Sequence, residues 1–140
     1  MTKIGQVLIA VVFMLPLSGC GGTWVDDESN FKRIFGFDKP NDVQILHSYY
    51  WKSPHWSTEY QYYIALRSSN SFTSGLTAAQ LMSPAVPDKD ALARCGGNLP
   101  PWFVSKPLSH YQMWIAKSSA RYHVFRDQDD NTLYVCDELL

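Results

Sequence analysis

The stretch DQDDNTLYVCDE, residues 127–138, is the part of the chain whose spacing most resembles metal chemistry. It places Asp127, Asp129, Asn131 and Glu138 at positions 1, 3, 5 and 12 of a calcium loop. Position 6 is Thr132, where the sharp turn of such a loop needs Gly, and LYVC reads as a strand with no framing helix. A polar hairpin tip accounts for it better. The four histidines, His47, His55, His110 and His123, show no H-E-x-x-H or H-x-H spacing. His55 and His110 are expected in solvated loops, and His47 and His123 as hydrogen-bonded strand residues. FTSGL lacks the strand-to-helix setting of a nucleophilic serine, and CGG at 95–97 reads as a helix stop. No constellation for catalysis emerges, no cofactor motif is present, and the expectation is a protein that binds rather than reacts.

A different chemistry is offered by YYWKSPHWSTEYQYY, residues 49–63, in which seven of fifteen residues are Tyr or Trp. Such density suits either a sheet core or a platform for a sugar or protein partner. Alternation assigns Tyr49, Trp51, Tyr60 and Tyr62 to the apolar side, Tyr50 and Tyr63 to the opposite face, and Trp56 to the turn. Tyr50, Trp56 and Tyr63 are therefore the expected binding residues.

The chain starts with MTKIGQVLIAVVFMLPLSGC. Lys3 precedes an almost wholly apolar run over 4–17, too short to span a bilayer as a helix, and it closes on small residues. Leu17, Ser18, Gly19 and Cys20 resemble the lipobox of bacterial lipoproteins. The resemblance covers about the first 20 residues. It implies that residues 1–19 are a cleaved signal peptide and that Cys20, as the first mature residue, carries the fatty acyl groups. Several acyl chains would hold the protein firmly, since each buried CH₂ contributes roughly 0.8 kcal/mol. Residue 21 is Gly and not the Asp that resembles an inner-membrane retention signal, which points to the outer membrane, facing the periplasm. With Cys20 used by lipid, Cys95 and Cys136 remain as an even pair in an oxidising compartment and are expected to form a disulfide. The loop so closed, about 40 residues, is worth roughly 4 kcal/mol in the chain-entropy picture. A nucleophilic thiol is the rival reading, but none is left over once the pair forms.

Removing residues 1–19 takes away Lys3, leaving 11 basic against 13 acidic residues, a net charge of −2. That balance lacks the basic stripe nucleic acid would ask for. The elements that must position the remaining residues suit one domain. Residues 20–28 read as a lipidated tether and 29–140 as the folded unit. A short helix is expected in DESNFKRIFGF, ended by Gly36, and a hairpin in VQILHSYYW and STEYQYYIALR. SNSFTSG reads as loop, LTAAQLM and DKDALARCGG as short helices around SPAVP, and NLPPWFVSKP as a proline-stiffened loop. YQMWIAK, ARYHVFR and LYVCDEL form a meander. The expected fold is α+β: about five antiparallel strands, hairpin plus C-terminal meander, with short helices packed on one face. Two functions fit. One is a non-enzymatic, outer-membrane-anchored binding module for a periplasmic protein, inhibitor- or immunity-like by analogy alone. The other is a peptidoglycan or glycan binder using Tyr50, Trp56 and Tyr63.

Overall fold

A computed structural model describes residues 21–55 and 58–140. Cys20 and Trp56 lie outside the described residues, as does the whole segment 1–19. The fold is α+β, with seven strands in one antiparallel sheet and three short α-helices among the described residues. The strands are β1 (Gly22–Val25), β2 (Gln44–Lys52), β3 (Tyr60–Arg67), β4 (Met82–Ala85), β5 (Tyr111–Ala116), β6 (His123–Asp127) and β7 (Thr132–Leu139). Their order across the sheet is β1-β2-β3-β7-β6-β5-β4. The helices are α1 (Asn30–Phe35), α2 (Asn70–Ala79) and α3 (Lys89–Arg94). None of the described helices is long and apolar enough to cross a membrane.

The hairpin and the meander are where alternation places them, and β3 and β7 run side by side from Tyr60↔Leu139 to Arg67↔Thr132 at the centre. The two additional strands are both at edges. Residues 22–25, expected as tether, pair with β2 from Gly22↔Lys52 to Val25↔Tyr49. Trp24 packs on Tyr50 with ring centroids 5.9 Å apart, and the Asp26 N–H donates to Ser48 O at 2.8 Å. Such a strand depends on a partner distant in sequence and leaves little periodic trace of its own. β4 occupies the SPAVP region because an outer strand tolerates Pro84, whose missing N–H costs no ladder bond on the open side.

Helix α2 covers SNSFTSG, expected as loop. Ser69 caps it by accepting from the Phe72 N–H at 3.2 Å, so the Ser/Asn-rich start is a helix entry. Asp88 caps α3 in the same way, accepting from the Ala91 N–H at 2.6 Å.

The helices cover both faces of the sheet and not one. On the first face, Phe31, Leu76, Tyr62, Ile64, Leu66, Val124, Leu133 and Val135 pack under α1 and α2. On the second, Tyr63, Phe103, Tyr111, Phe125 and Cys136 pack under α3 and the 98–107 segment. That segment seals its side with Trp102 and Phe103, whose rings meet edge to face. A central sheet with a layer on each side buries both residue parities of its inner strands, and β3 is accordingly buried from Tyr62 to Leu66.

Candidate functional site

β2 carries a register shift between Ile45 and His47: Ile45 pairs with Leu66, but His47 pairs with Ala65. The extra residue turns every later side chain of β2 over to the other face. Val43 and Ile45 thus belong to the first face with Leu66, whereas His47 stacks on Trp102 and Tyr49 meets Tyr63 on the second. Tyr49 is therefore not a neighbour of Tyr62, contrary to unbroken alternation. Tyr50 is.

The expected binding trio is not brought together. Tyr63 is 1% exposed, and its hydroxyl donates to Cys95 O at 2.8 Å. It is a buried strut, because the face expected to meet solvent is roofed by α3 and Phe103. Tyr50 stands on the opposite face and lines an open cleft. Trp56 lies outside the described residues.

That cleft, about 420 Å³, is built by Arg33, Tyr50, Tyr60, Tyr62, Tyr122 and Asp137 with their neighbours. β2 and β3 deliver three phenols as a stack: Tyr62 lies 6.3 Å from Tyr50 and 6.0 Å from Tyr60, with planes tilted by 14° and 13°. α1 supplies Arg33, held over the Trp24 ring at 4.6 Å and bonded through Nη1 to Asn30 Oδ1 at 2.9 Å. Asn30 is itself buried and donates to Trp24 O and Ser48 Oγ, so this corner is rigid. β7 supplies Asp137, directly opposite Tyr62.

Asp137 accepts from the Tyr60 hydroxyl at 2.8 Å, from the Glu138 N–H at 3.0 Å and from the Ser119 hydroxyl at 3.5 Å. Burial pushes its carboxyl above the ordinary range, with the hydrogen bonds opposing. Burial likewise raises Tyr50, Tyr62 and Tyr122, and takes Tyr60 up to about 12. These phenols stay protonated at neutral pH. They can donate hydrogen bonds and offer ring faces, but they are not primed as bases.

An apolar pocket of about 260 Å³ adjoins the cleft and shares Ile34, Gln80 and Tyr122 with it. Phe35, Phe37 and Phe72 form its walls, with Leu76 and Ala79 from α2. Phe37 is half exposed at 48% and meets Phe31 edge to face. Tyr60, Tyr122 and Asp137 were not singled out by sequence pattern. An acid directly after the apolar run Leu133–Cys136 was the available sign.

The second face holds different chemistry. Cys95 and Cys136 are joined, with Cα atoms 5.6 Å apart. His123, fully buried, pairs with Cys136 across the strands, and its Nδ1 donates to Arg121 O at 2.9 Å. Its Nε2 has no hydrogen-bond partner among the described residues, and a ring nitrogen lies within 4.8 Å of both sulfurs. With the sulfurs bonded to each other, the cluster has no thiolate to offer a metal. At the β6–β7 tip, buried Asp127 is ion-paired with Lys106 Nζ at 2.6 Å, and Asp129 meets Lys106 and His110 at 3.0 and 3.1 Å. Asn131 accepts from Arg126, and Glu138 lies at the opposite end of β7. The four residues of calcium-loop spacing do not converge.

Compared with protein-family models, curated proteins and solved structures, the chain finds no match.

Proposed function

We propose that this chain is a non-enzymatic binding module, anchored through an acylated Cys20 to the outer membrane and facing the periplasm, whose ligand is a protein. The observation that carries the reading is the adjacency of a phenylalanine-walled pocket to a phenol-lined polar cleft. A pocket of about 260 Å³ is of the size to take an apolar side chain of a partner, and the Arg33–Asp137 cleft beside it supplies the charged and hydroxylated surround of an interface hot spot. Asp137 is engaged by three donors from its own chain, which favours a structural carboxyl over a reacting one. The anchor rests on the lipobox resemblance of Leu17–Cys20.

A second reading, a glycan binder, is favoured by the parallel rings of Tyr50, Tyr62 and Tyr60, a surface on which a sugar could stack. The two readings separate in one experiment. Mature protein is offered envelope proteins and, separately, purified peptidoglycan. The variants are Phe37→Asp, which fills the apolar pocket with charge, and Tyr50→Ala, which removes the cleft's outer ring. Protein binding predicts that one captured protein is lost with both variants, each weakening it by about 2 kcal/mol or more. Peptidoglycan retention lost with Tyr50→Ala but kept with Phe37→Asp establishes the glycan reading. Capture untouched by either variant excludes this site.

A further inference from the structure

Gly21 lies against the backbone of Pro54, so closely that a Cβ there would collide with it. The chain therefore leaves the described fold at one specific corner, where β1 begins, β2 ends and the hairpin loop starts. The register extends that corner across the sheet: Gly22 pairs with Lys52, Lys52 with Tyr60, and Tyr60 with Leu139. Further across, β6 begins at His123, β5 ends at Ala116, and β4 begins at Met82 opposite Ala116. All seven strands thus have an end on this side.

Three of the exposed large apolar side chains gather here: Leu81 and Leu140, each 67% exposed, and Leu139, 46% exposed. Lys52, Lys117 and Arg121 are exposed at the same end; Glu59 is half-buried there, and Glu138, whose side chain is 11% exposed, is paired to Arg121 at 3.6 Å. The opposite end of the strands carries exposed Asp42, Asp129 and Asp130, together with exposed Arg67 and with Lys106, which is paired to Asp127 and Asp129. The exposed cations Lys52 and Lys117 suit this end to anionic headgroups.

We infer that this strand-end face, bearing Lys52, Leu81, Lys117, Leu139 and Leu140, lies on the lipid bilayer, with the strands standing up from it. The inference rests on the reading of Cys20 as the acylated residue. Only Gly21 separates Cys20 from the sheet, and two residues span about 7 Å at most, so the corner at Gly22 stays within reach of the headgroups. One tethered corner alone would leave the domain free to pivot. Leu81, in the turn just before the far edge strand β4, lies on the other side of the sheet's centre from the Gly22 corner and gives the contact a second footing. The far strand ends stand about 23 Å higher, seven residue steps along β7. The occupant is a bilayer and not a second protein, because the chain itself delivers this face to the lipid.

The test uses the full-length protein made and processed in its own envelope, with a photoreactive benzoylphenylalanine at single exposed positions. Leu81 and Leu140 sample the near end, and Val86 and Gln128 the far end. After irradiation, covalent phospholipid adducts are measured by mass spectrometry, together with the mass of the Cys20 peptide. An intact Cys95–Cys136 bridge in unreduced samples shows that each variant folds. The expected result is acylated Cys20 with lipid adducts several-fold richer at Leu81 and Leu140 than at Val86 and Gln128. Acylated Cys20 with equal or far-end labelling overturns the orientation while leaving the anchor intact. Unmodified Cys20 overturns the lipoprotein reading, and the orientation with it.

Discussion

The two faces of the sheet start from the same material and end differently. Tyr62 and Tyr63 are successive residues of β3, and both are buried phenols. On the second face, Tyr63 is roofed by Phe103, its hydroxyl reaches Cys95 O, and the disulfide pins α3 to β7 beside it. On the first, Tyr62 is flanked by Tyr50 and Tyr60, with an open cleft above them. The difference is the cover. A covalent link and a tryptophan-bearing segment close one face, whereas two helices leave a gap over the other. One face therefore holds the fold and the other keeps an open cleft.

The largest effect is expected from breaking the closed face. Replacing both Cys95 and Cys136 with Ala opens a loop whose ends are 41 residues apart, and should cost about 4 kcal/mol in urea unfolding. A loss below about 1 kcal/mol would mean that the helix-and-loop cover holds without the bridge. A finer comparison sets Tyr63→Phe against Tyr50→Phe. The first removes a buried bond and leaves Cys95 O without its donor, for a loss of about 1 kcal/mol or slightly more. The second removes a hydroxyl on the cleft wall, and should leave the unfolding midpoint nearly unchanged. Equal losses would erase the distinction between strut and surface.

The smallest effect is in the pH profile, where the two faces act with opposite sign. Burial lowers the His123 pKa, so the unfolded chain takes up a proton first. Its contribution is present above about pH 6.5 and is lost as the pH falls through the folded value. Burial raises Asp137, so the folded chain keeps its proton longer. That contribution is present below about pH 3.9 and is lost as the pH rises through the folded value. His123→Gln should flatten the near-neutral part of the stability profile, and Asp137→Asn the acid part. Melting temperatures measured from pH 3 to pH 8 check both, and identical profiles for the two variants would contradict the assignment.

What could be read in advance follows the range of the interactions. The hairpin and meander are written in local alternation, and α3 in the Asp88 cap and the Cys95–Gly97 stop. β1 and β4 escaped because their strand character comes from β2 and β5, and α2 because Ser69 reads equally as loop or cap. The face of Tyr50 was assigned correctly relative to Val43 only if no residue is inserted between them. The register shift after Ile45 overturns that premise and places Tyr50 beside Tyr62. For Tyr63 the strand parity was right and the inference of exposure was not, since a second cover lies above it. Asp137 and Tyr122 meet through tertiary packing, which no window of the sequence displays.

The Cys95–Cys136 bond also decides what a protease could accomplish. It encloses β5, β6 and most of β7 in a covalent ring. A single peptide-bond cut within that ring, at the exposed 117–118 turn for example, leaves both fragments attached to each other and to the sheet. A cut in the exposed segment after Ala85 has no such protection: it severs everything N-terminal to Val86, including β3 and the cleft phenols of β2 and β3, from the disulfide-closed ring. The chain is thus tolerant of nicking where its disulfide face is built and vulnerable where its cleft face joins it, and the survival of the cleft hangs on an unbroken backbone between Gly21 and Cys95.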